Sequence, residues 1–235
     1  SVSILDYGAI SGDSSNEAAW SNSAAITKAV LVANSSTDRT VLVPAGYDFY
    51  IFEVEFSHLY EITLTIDGNL YVSNNITEWP TTNENHILAA LYIGDSSKIT
   101  INGTGLFDGQ GYDWWWYVIV TTIDDRPMLV AMERVSDLLI HGVTFKNSPQ
   151  YHLDIRDIKN VHIHSIDILV DVTKQKQLLQ EHGLLNELGI PTFPLNTDGI
   201  DPQGINILIE NVTIVNFDDA IAVKPQSGSN YFSSC

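Results

Sequence analysis

Four stretches of the chain repeat one arrangement of apolar and polar positions. Lys98-Ile-Thr-Ile-Asn-Gly leads into Thr-Gly-Leu-Phe, and Asp137-Leu-Leu-Ile-His-Gly into Val-Thr-Phe. Asn160-Val-His-Ile-His-Ser leads into Ile-Asp-Ile, and Asn206-Ile-Leu-Ile-Glu-Asn into Val-Thr-Ile. Each opens on a polar residue and alternates apolar and polar side chains at the period of a strand. It then turns at a polar pair and resumes as a second short strand. Asp137 and Asn160 are 23 positions apart, and the other two spacings, 39 and 46, contain insertions at 109–125 and 171–195. Several short strands in a repeat of roughly 20-odd residues is the pattern of a parallel β-helix, an all-β solenoid. Successive coils would then stack at about 4.8 Å.

The first half of the chain fits the same plan. Residues 1–10 read as a short strand closed by a glycine turn, and Asn16 to Asn34 reads as an amphipathic helix. Placed before a β-rich chain, that helix is suited to cap the open end of the stack. Strands are predicted at Thr40–Pro44, Tyr50–Phe56, Glu61–Asp67, Leu70–Ser73, Leu88–Gly94 and Lys98–Asn102, with a polar loop over 74–86. Within the second insertion, 174–188 reads as a short helix carrying Leu178, Leu185 and Leu188, stopped by Gly189, Pro191 and Pro194.

Composition narrows the partners. The chain has 235 residues, 11 basic against 29 acidic, for a net charge of −18. Nucleic acid and anionic membrane surfaces are poor partners for such a surface. No run of 18 apolar residues occurs, so no membrane-spanning helix is expected. Sequons at Asn34, Asn75, Asn102 and Asn211, with few lysines, point to a secreted, extracellular glycoprotein. The single cysteine, Cys235, has no partner within the chain.

Candidate chemistry concentrates in 196–224. Asp198 and Asp219 are 21 positions apart, about one coil, with Asp218 adjacent. Stacked carboxylates on a rigid surface are what glycosidic hydrolysis uses. Three so close do not all ionise easily, so one keeps its proton while the others activate water. His152 lies 46 positions before Asp198, which counts as one coil plus the insertion. On that count His152, Asp198 and Asp219 form a column, with His152 set to meet substrate. Other residues read two ways. Trp114–Trp116 could form a sugar platform or a packed cluster. Lys224 and Arg126 could meet an anionic substrate or pair with acids. His141 and His164 should stack, and with no carboxylate or cysteine to complete a zinc site, no metal or other cofactor is expected.

These motifs together resemble the polygalacturonase family of pectin hydrolases, glycoside hydrolase family 28. The likeness rests on Asn196-Thr-Asp-Gly-Ile-Asp, on Asp218-Asp219 with Ala-Val-Lys224, and on Asp6-Tyr-Gly-Ala. Asp108-Gly-Gln-Gly, Arg126-Pro and Asn147-Ser-Pro with Tyr-His add to it. It implies a right-handed parallel β-helix and inverting hydrolysis of α-1,4-linked galacturonan. Asp218 would be the general acid, Asp198 and Asp219 would hold and deprotonate the water, and Asn196 would line the groove. Phe217 replaces the family's usual glycine, and Ala220 its cysteine. The family's Gly-His-Gly and Arg-x-Lys motifs do not occur, so 1–235 is expected to form one domain that is the N-terminal part of a longer one. An uncapped end would offer open strand edges and a route to self-association. The alternatives are a non-catalytic β-helix glycoprotein serving as a structural or carbohydrate-binding module, and a calcium-dependent lyase on the same scaffold.

Overall fold

A computed structural model describes residues 1–82, 86–121, 125–181, 183 and 194–225. After β1 (Val2–Ser3) and a 3₁₀ turn at Ile4–Tyr7, the chain forms helix α1 (Asn16–Asn34). It then winds through β2 (Thr40–Val43), β3 (Asp48–Ile51), β4 (Val54–Ser57), β5 (Thr63–Ile66) and β6 (Asn69–Val72). Next come β7 (Leu91–Asn102), β8 (Leu106–Asp108), helix α2 (Tyr112–Thr121), β9 (Val130–His141) and β10 (Thr144–Lys146). The last elements are β11 (Leu153–His164), β12 (Asp167–Leu169), helix α3 (Val172–Glu181), β13 (Ile200–Glu210) and β14 (Thr213–Val215). One sheet runs β1-β2-β5-β7-β9-β11-β13, with β4 beside β7, and the other runs β3-β6-β8-β10-β12-β14. Every pairing between these strands is parallel, as a right-handed β-helix requires.

The repeat openers identified in the sequence are the bends of the coil. Lys98, Asp137, Asn160 and Asn206 have φ of 54°, 55°, 56° and 57°. Left-handed backbone is steeply unfavourable for most side chains and least so for Asn and Asp. Stacking then adds side-chain bonds. Asn160 Nδ2 donates to Asp137 Oδ1 at 2.9 Å, and Asn206 Nδ2 donates to Asn160 Oδ1 at 2.8 Å. Between bends the inward positions stack in register: Ile101, Ile140, Ile163 and Ile209 in the long strands, and Phe107, Phe145, Ile168 and Ile214 in the short ones. Nearly all of these are buried in one continuous core.

Helix α1 caps the first coil with polar as well as apolar contacts. Ser15 accepts from Ala18 N at its N-terminus, and Ile26, Ala29, Val30 and Ala33 enter the core. Buried Asn22 donates to Tyr50 O at 2.8 Å and Ile10 O at 3.0 Å, so an edge carbonyl of β3 gains a partner. The strand expected over 50–56 breaks because Phe52 turns a corner, donating its N–H to Ser23 Oγ and stacking on Trp20 at 4.4 Å. The strands expected at Leu88–Gly94 and Lys98–Asn102 are instead one continuous strand, which begins at Leu91. The first insertion contains a helix, α2, that the sequence pattern does not predict. There Trp114 and Trp115 are buried, so these two are packing residues and not a sugar platform. Helix α3 begins at Val172, and the Leu185, Leu188, Gly189 and Pro191 expected to end it lie outside the described residues.

Replacing Asn160 with Ala removes two ladder hydrogen bonds and leaves a left-handed residue with a Cβ. The expected loss is about 1–2 kcal/mol, measured by urea unfolding. Asn160→Gly should recover the backbone share of that loss and none of the hydrogen bonding.

Candidate active site

Each connection from the short-strand sheet back to the long-strand sheet runs along one edge of the coil. Those connections carry α2, the 147–152 loop, α3 and residues 216–220. Asp198 lies just before β13, and Asp218 and Asp219 follow β14, so neighbouring connections bring all three acids together. The register is fixed by backbone: Gly199 N donates to Asp219 O at 2.9 Å and Ile200 N to Ala220 O at 3.1 Å. The approach is so close that a Cβ at position 199 would lie 2.4 Å from Ala220 O, which explains the glycine after Asp198. Side chains stitch the two segments further. Asn216 Nδ2 donates to Thr197 O and Asp219 O, and Thr197 Oγ1 accepts from Phe217 N.

One carboxylate oxygen from each of Asp198, Asp218 and Asp219 lies within 4.8 Å of the other two. Asp198 is buried and the other two are exposed. Asp218 accepts from Asn196 N at 2.9 Å and Asp219 N at 3.0 Å, so Asn196, in a left-handed conformation (φ 56°), orients an acid through its backbone. Asp198 Oδ1 is buried with no donor among the described residues. Burial, then the charge of Asp201, then that of Asp218 push the Asp198 carboxyl up to about 6, against smaller opposing effects of its own N–H and Lys224. Three carboxylates at this separation could also gather a divalent cation.

Asp201 is a site residue that the sequence reading does not single out. It is fully buried, with Lys224 Nζ 3.1 Å from its Oδ2, an ion pair without well-directed hydrogen bonds to either oxygen. Burial raises its pKa and Lys224 opposes the rise. One coil earlier Asp154 occupies the equivalent position and pairs with Arg156 at 2.9 Å. A signal for it exists: Leu153-Asp-Ile and Ile200-Asp-Pro align, and each has a cation within reach.

The His152 expectation is corrected. Leu153 pairs with Ile200, so the spacing is 47 and Tyr151, not His152, shares the rung of Asp198. One residue of offset turns a side chain to the opposite face. His152 is buried, accepts from Ser148 N through Nε2 at 3.2 Å and donates from Nδ1 to Asp198 O at 3.0 Å. Burial lowers its pKa to about 4, so it is a neutral strut beneath Asp198. Arg126 is also buried, donating to Pro149 O at 2.8 Å. Lys224 is part exposed, between Asp201 and the Tyr151 ring, 5.6 Å away. On the outer face His141 and His164 stack at 5.1 Å, and His162 contacts Glu210 at 2.9 Å.

The parallel strand order places this chain in the class of parallel β-helices, and comparison with known proteins is more specific. The family model for glycosyl hydrolases family 28 matches residues 34–234, and the chain belongs to that family. It is 27% identical over 220 residues to a probable exopolygalacturonase C of Aspergillus niger, covering 86% of this chain and 43% of that protein. It is 28% identical over 211 residues to an exopolygalacturonase of Cochliobolus carbonum, covering 88% of this chain and 43% of that one. The chain thus spans less than half the length of these curated relatives. The crystal structure of an endo-xylogalacturonan hydrolase from Aspergillus tubingensis superposes with a TM-score of 0.72 at 23% identity, over 92% of this chain and 52% of that one, a likeness of fold.

The raised Asp198 pKa gives a stability test. Its folded value of about 6 lies above the 3.8 of an unperturbed aspartate. The folded state therefore binds the proton first, and this group's contribution falls as pH rises from about 4 to 6. Asp198→Asn should stabilise the protein at pH 7, and the gain should shrink toward zero by pH 4, read by chemical denaturation at both pH values.

Proposed function

We propose that the protein containing this chain is a polygalacturonase-type glycosidase that hydrolyses α-1,4-galacturonosidic bonds of pectin. The observation that carries this reading is the three-carboxylate cluster on two adjacent coils, with one acid poised to hold a proton near pH 6. In this reading the proton that Asp198 holds near pH 6 passes to Asp218, which, at the exposed end of the cluster, donates it to the leaving oxygen and leaves Asp198 free to act as base. Asp198 and Asp219 hold the water and take its proton, and proton sharing within the trio supplies acid and base in one site. Asn196 and Lys224 line the groove, Lys224 as the cation that meets a uronate carboxylate.

The family supports single displacement with inversion. Opposed carboxyl groups in inverting enzymes are usually about 6.5–9.5 Å apart, and this cluster is tighter. The water would then be held at the Asp198–Asp219 edge and not in a gap between facing acids. The anomer of the first-formed product, followed by proton NMR, decides the point.

Full-length protein should release reducing ends from polygalacturonate in the presence of a chelator. Asp218→Asn should lower kcat by about 10²–10⁴-fold, the usual range for loss of a positioned acid. Activity that requires calcium and generates an ultraviolet-absorbing unsaturated product would replace this reading with elimination. Binding with no turnover would favour a carbohydrate-binding module.

The sequons support secretion as a glycoprotein. Asn211 is exposed, with its Nδ2 donating to Ser165 Oγ at 3.0 Å at the surface, whereas Asn34, Asn75 and Asn102 are half-buried and accept hydrogen bonds through Oδ1. Asn211 is therefore the expected first site, and Asn211→Gln should remove one glycan's mass from the secreted protein.

A further inference from the structure

From the strand that follows Asp198, one row of stacked positions crosses the long strands. Asp201, Asp154, Ala131, Tyr92 and Glu55 occupy one column, each in register with the next. From Asp201 to Tyr92 is three strand spacings, about 14 Å. At the far end lies a cavity of about 200 Å³ lined by Glu53, Glu55, Leu88, Ala89 and Tyr92. That is below the roughly 300–1,000 Å³ of pockets for drug-sized ligands and suits one ring-sized unit.

Its chemistry is specific. The Tyr92 ring leans along the strand over Gly94, where a Cβ would meet the phenol oxygen at 2.8 Å. Glycine at 94 thus lets the ring lie down as part of the wall. The hydroxyl donates to Glu133 at 3.2 Å, outside the cavity, so the ring contributes its apolar body. Leu88 and Ala89 add apolar surface. Among the described residues, the only charged groups lining the cavity are the carboxylates of Glu53 and Glu55. Cations elsewhere on this face are engaged: Arg156 by Asp154, Arg134 by Asp95 and Glu133, and Lys224 by Asp201.

A carboxylate accepts hydrogen bonds and donates none, so an occupant must supply hydroxyl donors and some apolar surface. A free uronate would bring a further negative charge beside Glu55 and Glu53, a pair already close enough to repel, which is disfavoured. We propose that this cavity is a subsite for an uncharged, hydroxyl-rich sugar unit of the bound chain, about three residues from the cleaved bond, and that it selects against a free uronate there. This rests on the hydrolase reading above and deepens it. The glycan cleaved is a galacturonan whose unit at this position is esterified or replaced by, or substituted with, a neutral sugar.

The test uses full-length protein carrying Asp218→Asn, with calorimetric binding of three matched oligosaccharides: unesterified galacturonan, methyl-esterified galacturonan and galacturonan bearing neutral sugar branches. An uncharged arm should bind about tenfold more tightly than the unesterified one, and which arm does so identifies the source. Adding Glu53→Gln and Glu55→Gln should bring the ratio within about twofold. In protein that retains Asp218, the pair should lower KM for unesterified chains with kcat unchanged. Equal affinities before the glutamine substitutions, or a preference that survives them, overturns the proposal. A binding preference that collapses as expected, in a protein that cleaves none of the three, supports the subsite and removes the hydrolase reading.

Discussion

Each coil is held to the next by a parallel backbone ladder in fixed register, and the placement of the acids, the core and the groove follows from it. The bends show how tightly the register is set. Glu61, Lys98, Asp137, Asn160 and Asn206 all sit at φ between 54° and 58°, so successive coils turn at the same place. Local cost is accepted at each bend because a bend displaced by one residue would reverse the inward and outward faces of the next strand. Gly199 is the same constraint at the site: the coils approach there until no side chain fits between Asp198 and Ala220.

A ladder that stacks like positions also stacks like charges. Asp154 lies directly over Asp201, one strand spacing apart and both buried. Unpaired, two such carboxylates would repel. Arg156 and Lys224 reach in from the flanks and offset this, one for each acid. The histidine column on the outer face meets the same problem differently. His141 and His164 stack face to face, and burial together with the neighbouring histidines lowers the pKa of His141, which disfavours a charged column.

Much of this architecture is legible in the sequence. The β-helix follows from the repeat template, α1 from its apolar spacing, and the Asp198–Asp219 contact from 21 residues equalling one coil. The rest is hidden for definable reasons. Counting 46 residues to Asp198 places His152 in the groove, but the count crosses an insertion whose length conceals a one-residue offset. Helix α2 escapes because Trp114, Trp115 and Trp116 carry no clear helical stripe, although the first two are buried. Asp201 is inconspicuous because a buried acid and its cation 23 positions later are joined only by the fold. Arg126, which the sequence leaves between meeting a substrate and pairing with an acid, is buried and donates to the Pro149 carbonyl.

Asp201 ties the ladder to the chemistry. Its charge is the second-largest cause of the raised Asp198 pKa, after burial, and Lys224 acts against both acids' proton affinity. Lys224 therefore sets the proton affinity of the cluster as well as pairing with Asp201. An anionic sugar that draws the ammonium toward itself would uncover the Asp201 charge, and Asp198 would then hold its proton more tightly. Under the proposed function, binding and the acid–base state of the cluster would then be coupled through Lys224. His152 acts on the same acid from below, where its ring N–H fixes the Asp198 carbonyl, and its neutrality adds no charge to the balance. The site is accordingly built from a buried, neutral support under Asp198 and a salt-bridged cation beside it, with the carboxylates Asp218 and Asp219 left open to solvent.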